Sequence, residues 1–152
     1  MIPPIATILF SCSRDTDLRV SEAMALRVGI DLVSVDAVRE AVRDHGDRYL
    51  QRLYTEAELR DCRTEHGLAL ERLAVRFAAK EATLKVLRPS DQGISWKSME
   101  VVKHPSGWVG ISLSGCAAQL AEEEGLGGFA LSVTHEENYA TAVVVAEEDF
   151  RK

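Results

Sequence analysis

The stretch Leu70 to Leu87, LERLAVRFAAKEATLKVL, reads as one long helix that stops before Pro89, because a residue preceding proline is held away from helical angles. Leu73, Phe77, Leu84, Val86 and Leu87 supply most of its apolar surface. Within it, Arg76-Phe77-Ala78-Ala79-Lys80-Glu81-Ala82-Thr83-Leu84-Lys85 sets one carboxylate among several cations. Glu81 and Lys85 stand one turn apart on one face, as do Arg76 and Lys80. The small pair Ala78-Ala79 lets another backbone or a ligand come near. A metal-holding carboxylate beside phosphate-holding cations is what chemistry on a pyrophosphate requires. Taken alone, an exposed Glu/Lys pair is ordinarily a surface ion pair of small worth.

Two further segments change that balance. Val28-Gly29-Ile30-Asp31-Leu32-Val33 reads as a buried strand in which one acid interrupts an apolar run. An ionised Asp there is costly unless a cation or hydrogen-bond donors meet it; an Asp serving the next turn is the alternative. Ala130-Leu131-Ser132-Val133-Thr134-His135, then Glu136-Glu137-Asn138 and Tyr139 to Val145, predicts a hairpin with His135 at the end of its first strand.

Elsewhere, Ser34 is placed to cap a helix that Gly46 closes. Val35, Val38 and Val42 form its apolar stripe, with Arg39 and Arg43 on another face and Arg48 and Arg52 beyond. A solvated charged face is the ordinary explanation of such arginines. Thr55-Glu56-Ala57-Glu58 predicts a capping box. Ser98 to Lys103 and Trp108 to Leu113 read as strands joined by His104-Pro105-Ser106-Gly107. Ser114 then caps a helix through Gln119 and Glu124, closed by Gly125, and Gly127-Gly128 leads into the final hairpin. This mixture predicts an α+β fold.

The 152 residues, 46% hydrophobic and 28% charged, are enough for one domain with a real core. No apolar run reaches membrane-spanning length, and Ile2 to Cys12 lacks the basic leader of a signal peptide. Cys12, Cys62 and Cys116 have no metal-like spacing and fit a reducing cytoplasm. A formal charge of -6 argues against nucleic acid as the main partner. Residues 1–25, with Pro3-Pro4 and no sustained period, read as an N-terminal extension dispensable for chemistry, leaving 26–152 as the working domain.

In this order, Gly29-Ile30-Asp31, Arg76-Phe77-Ala78-Ala79-Lys80-Glu81-Ala82 with Lys85, and Ser132-Val133-Thr134-His135 resemble holo-acyl-carrier-protein synthase, the small class of 4′-phosphopantetheinyl transferase. Tyr54 to Leu59 and Trp96 to Val101 are similar to the family's intervening segments, so the resemblance runs from about Leu26 to Glu147. It implies an antiparallel sheet packed on a long helix. It also implies transfer of 4′-phosphopantetheine from coenzyme A to a serine of apo acyl carrier protein. By the resemblance Asp31 and Glu81 hold Mg²⁺ and Lys85 contacts phosphate. Arg76 and Lys80 either help hold coenzyme A or make a structural ion pair. Ser90, Gly93, Thr134 and His135 lie on the coenzyme A side, and Arg39, Arg43, Arg48 and Arg52 receive the acidic carrier. The small class is typically a homotrimer with sites at subunit interfaces, and neither nucleic acid nor membrane is an expected partner.

The chain departs from the wider pattern at Val33, where the larger two-repeat transferases carry a second acid, and at Ser34, where many small synthases carry Glu. Its loop Arg88-Pro89-Ser90-Asp91-Gln92-Gly93 is less glycine-rich than that of many relatives. Two rival functions use the same residues: a Mg²⁺-dependent nucleotide pyrophosphatase, and a non-catalytic carrier-binding module.

Overall fold

The computed structural model describes residues 25–90 and 93–149. Strand β1 (Ala25–Ser34) leads into helix α1 (Val35–Leu53), helix α2 (Glu56–Cys62) and a two-residue hairpin, β2 (Arg63–Thr64) and β3 (Gly67–Leu68). Helix α3 (Leu70–Leu87) follows, then a single 3-10 turn (Trp96–Ser98), strands β4 (Met99–Lys103) and β5 (Val109–Leu113), helix α4 (Gly115–Glu123), and strands β6 (Leu126–Glu136) and β7 (Tyr139–Glu148). The main sheet is antiparallel with strand order β1-β7-β6, and α3 lies across β1 and β7. This is the α+β arrangement expected, an antiparallel sheet packed on a long helix.

α3 occupies the span predicted for it. Leu73, Ala74, Val75, Ala78, Ala79, Ala82, Val86 and Leu87 are all buried, together with Arg76, Lys80 and Thr83, so the helix is covered on most of its sides. The sheet side beneath it is paved with small residues, Gly29 on β1 and Ala140, Ala142 and Ala146 on β7, while Val33 and Val144 complete the floor. Ala78 and Ala79 are spent in this core and admit no ligand.

Several expectations are corrected. β1 is not buried on both faces. It is an edge strand, and Leu26, Val28, Ile30 and Leu32 point away from α3 at 59% to 65% exposure. Gly46 closes the first helical stretch of α1 as expected, its φ of 52° and ψ of -135° suiting only glycine, but a second helical stretch follows to Leu53. Leu50 and Leu53 are buried, which rewards that second stretch. Ser114 sits at the α4 N-cap but makes no side-chain cap bond. Gly127-Gly128 does not precede the hairpin; it lies within β6, at a register shift between Gly127 and Ala130. Ala25 belongs to β1, whereas the rest of the predicted extension lies outside the described residues. The Ser34 cap (Ala37 N–H to Oγ, 3.3 Å) and the Thr55/Glu58 capping box form as read.

Candidate active site

Side chains alternate along β1, so Arg27, Gly29, Asp31 and Val33 share the face towards α3. On α3, Glu81 and Lys85 are one turn apart and face β1. Lys85 Nζ donates to the Ile30 carbonyl at 2.6 Å and to Asp31 Oδ1 at 2.9 Å. Thr141 Oγ1, on β7, donates to the Asp31 carbonyl at 2.7 Å. The backbone on either side of Asp31 is thus held from helix and sheet alike. Asp31 is largely covered, while half of the Lys85 side chain is open to solvent. Glu81 is half-buried. Burial raises its carboxyl above the ordinary value, the Asp31 charge raises it further, and Lys85 partly offsets both. Two carboxylates and one half-exposed cation therefore meet where β1 crosses α3.

Arg76 and Lys80 leave this site. Positions 80 and 81 are about 100° apart around the helix, so Lys80 turns into the core. Its Nζ donates to the Trp96 carbonyl (2.9 Å) and the Met99 carbonyl (2.6 Å) and pairs with Glu58 Oε2 (2.9 Å). Those contacts use all three of its protons. Lys80 is fully buried, so of the two parts left open for it the structural ion pair is the one formed in this chain. Arg76 shares that side of α3. Its Nη2 reaches Asp61 Oδ2 at 3.3 Å, its Nη1 reaches the Arg72 carbonyl at 3.2 Å, and its buried Nε has no partner.

The hairpin separates two other expected residues. His135 pairs with Ala140, and Ala140 with Val33, which places His135 on the α3-facing side, one row beyond Asp31. Thr134 pairs with Thr141 and alternates to the outer face, so it does not join Asp31 within this chain. Ser90 and Gly93 are exposed beyond the end of α3, after Arg88, whose φ of 50° is the left-handed turn of a helix end. Ser34 Oγ is committed to capping α1, and Val33 is buried in the core.

On α1 the four arginines are exposed, but Asp36, Glu40, Asp44 and Asp47 match them in number. Arg39 pairs with Asp36, and Arg43 Nε with Asp44 Oδ1 at 2.8 Å. The helix is therefore a mixed-charge surface rather than a plain basic stripe. Two residues central to the architecture went unsignalled. Glu58 looked only like a cap, yet its Oε1 also accepts from Val101 N–H at 3.0 Å. Arg27 joins Glu124 (2.8 Å), Glu148 (2.6 Å) and the Val86 carbonyl (3.5 Å).

Residues 27–144 match the family described as the 4′-phosphopantetheinyl transferase superfamily, and the chain belongs to it. Its relatives within that superfamily are holo-[acyl-carrier-protein] synthases. The protein of that name from Koribacter versatilis is 43% identical over 128 residues, 82% of this chain and 100% of the relative. That from Desulforudis audaxviator is 42% identical over 123 residues, 81% and 93% respectively. A solved Chronobacterium ammoniagenes ACPS-CoA complex superposes with a TM-score of 0.73 at 31% identity, covering 82% of this chain and 98% of that one.

Proposed function

We propose that this protein moves the 4′-phosphopantetheine group of coenzyme A onto a serine of apo acyl carrier protein, releasing adenosine 3′,5′-bisphosphate, with Asp31 and Glu81 holding Mg²⁺. The observation that carries this reading is the convergence of Asp31, Glu81 and Lys85 at the β1–α3 crossing of a chain from this superfamily. Among the described residues no three acids, histidines or cysteines cluster. Two carboxylates fit Mg²⁺, which keeps several waters and takes substrate phosphates as further ligands. Burial raises the Glu81 carboxyl first and the Asp31 charge adds to it, and a divalent cation would relieve that second contribution. When bound, Mg²⁺ neutralises charge on the pyrophosphate so that an oxygen nucleophile can approach.

The residues of the chain do the rest. A bond forms between the carrier serine oxygen and the β-phosphorus, and the bond from that phosphorus to the bridging oxygen breaks. Lys85, free on its solvent side, meets the charge that grows on the departing phosphate. Asp31, fixed by Lys85 and Thr141, orients a water that takes the serine proton. Glu81 is a poorer base once a cation lowers its pKa. His135, Ser90 and Gly93 border the phosphates of coenzyme A. Arg76 contributes through Asp61 and the α2–α3 packing rather than by direct contact.

The carrier docks on α1, where Arg48 and Arg52 offer charge beside the paired Arg39 and Arg43. Such contacts steer association and weaken with salt. The outward row Leu26, Val28, Ile30 and Leu32, beside Val143 and Val145, supports assembly into a trimer that completes each site. Residues 26–152 form the transferase unit. Free Cys62 and Cys116 support work in the cytoplasm, and no helix among the described residues is long and apolar enough to cross a membrane.

Intact-mass spectrometry of apo carrier protein incubated with the protein, coenzyme A and Mg²⁺ tests the reading. The carrier gains one phosphopantetheine, and the gain disappears with EDTA, Asp31→Ala or Glu81→Ala. No gain on any of several carriers, with the protein folded, defeats it in favour of a binding module.

A further inference from the structure

We propose that Gly29 is a positioning residue: lacking a side chain, it lets α3 lie close enough to β1 to hold Asp31 and Glu81 at the spacing a shared divalent cation needs. A Cβ built at Gly29 meets the Ala82 carbonyl oxygen at 2.0 Å and Val86 Cγ2 at 3.1 Å. Backbone cannot swing aside as a side chain can. Gly29 lies in regular antiparallel register with Val144, and its φ is not one that favours glycine. The requirement is therefore for space, not for backbone freedom.

The place of this contact gives it a functional consequence. Gly29 precedes Asp31 by two residues on the same face of β1, and Ala82 follows Glu81 directly on α3. The close contact of Gly29 with Ala82 thus lies next to both carboxylate-bearing positions and one turn from the Lys85 bonds to Ile30 and Asp31. Relieving a 2.0 Å contact to the 3.0 Å that real Cβ atoms respect moves the elements apart by about 1 Å at this point. A displacement of that size can cost on the order of 100-fold in rate. Alanines 140, 142 and 146 of β7 are buried beneath α3 as well, with Val144 between them beside Gly29.

This inference rests on Asp31 and Glu81 being the metal-binding pair, and the test separates the two. Mn²⁺ binding in the presence of coenzyme A is followed by the loss of free-ion electron paramagnetic resonance signal, without turnover. The wild type binds Mn²⁺ and Glu81→Gln does not; a wild type that fails here defeats the metal reading itself. With that established, Gly29→Ala is expected to bind Mn²⁺ at least about tenfold more weakly, as lost support around metal ligands typically does. Val144→Ala removes packing beneath α3 without lifting it, so it lowers the melting temperature and leaves Mn²⁺ affinity within twofold (roughly) of wild type. Should Gly29→Ala fail to fold, Ala142→Val lifts α3 from the neighbouring strand and carries the same expectation. Unchanged Mn²⁺ affinity in the folded lifting variant, or an equal loss in Val144→Ala, overturns the proposal.

Discussion

Lys80 Nζ and Glu58 Oε2 lie 2.9 Å apart with both side chains wholly excluded from solvent. The pair joins three stretches that are distant in sequence. Glu58 closes the cap of α2 through Thr55 N–H and holds β4 through Val101 N–H, while Lys80 binds the carbonyls of Trp96 and Met99. Burial lowers the Lys80 ammonium pKa, and the Glu58 charge opposes that fall. Every polar atom of the pair is nevertheless matched, so the arrangement tolerates the loss of solvent.

Breaking the pair from one side leaves a buried charge without its partner. Lys80→Met is therefore expected to destabilise the protein by about 3–5 kcal/mol, a fall in melting temperature on the order of 10 °C for a chain of this size. The double variant Glu58→Gln, Lys80→Met recovers part of the loss. Calorimetry of the two single variants and the double variant measures the coupling. A Lys80→Met protein that melts like wild type but loses affinity for coenzyme A would return Lys80 to the binding site.

At Glu81 the opposite division is expected. Burial and the Asp31 charge both disfavour its ionised form, so Glu81→Gln removes a repulsion as well as the proposed metal ligand. Melting temperature should stay level or rise slightly, while turnover falls by at least about 100-fold, the scale of losing one electrostatic contact at a phosphoryl-transfer site. Thermal melting and the carrier mass shift, taken on one preparation, separate the two effects. A loss of turnover that merely tracks a loss of fold would make Glu81 structural.

The same contrast shows what the sequence could reveal. The ends of α3 were legible because Pro89 stops it and its apolar spacing is helical. The crossing of Asp31 with Glu81 and Lys85 was legible through motif order. The separate fate of Lys80 was not: adjacent cations look alike in a sequence, yet one step around the helix turns Lys80 into the core and leaves Glu81 at the site. Glu58 was hidden for a related reason, since a capping box explains one oxygen and is silent about the other. The outward face of Thr134 was not legible either, because strand alternation, rather than proximity to His135, decides the face it occupies. On α1 the arginines drew more weight than the acids between them, which only the ion pairs Arg39–Asp36 and Arg43–Asp44 made plain.

Acid should loosen the end of the fold that Arg27 secures. Arg27 Nη2 donates to Glu148 Oε1 at 2.6 Å, and that bond holds the Glu148 carboxyl below its ordinary value of 4.5 despite opposing desolvation. A folded pKa below the unfolded one contributes stability that is present above about pH 4.5 and is lost as pH falls through the folded value. Glu148→Gln is thus expected to melt below wild type at neutral pH, with the gap closing in acid. Melting curves across that range test this; a gap that stays constant would assign the effect to packing instead.

The outward face of β1 sets the last expectation. Leu26, Val28, Ile30 and Leu32 alternate with the inward Arg27, Gly29, Asp31 and Val33, so the strand that carries Asp31 also presents an apolar row to solvent. Val143 and Val145 extend the row on β7, in register with Ile30 and Val28. A row of this kind on an edge strand invites association, and the proposed trimer covers it. Ile30→Lys places a charge at its centre without touching the Ile30 carbonyl that Lys85 binds. Light scattering should find the wild type as a trimer and Ile30→Lys as a monomer that keeps its helical circular dichroism. Turnover should fall with the assembly, because in the proposed trimer a neighbouring subunit completes the site. A monomeric variant with full activity would show that one chain is a complete enzyme, and a variant that remains trimeric would place the interface elsewhere.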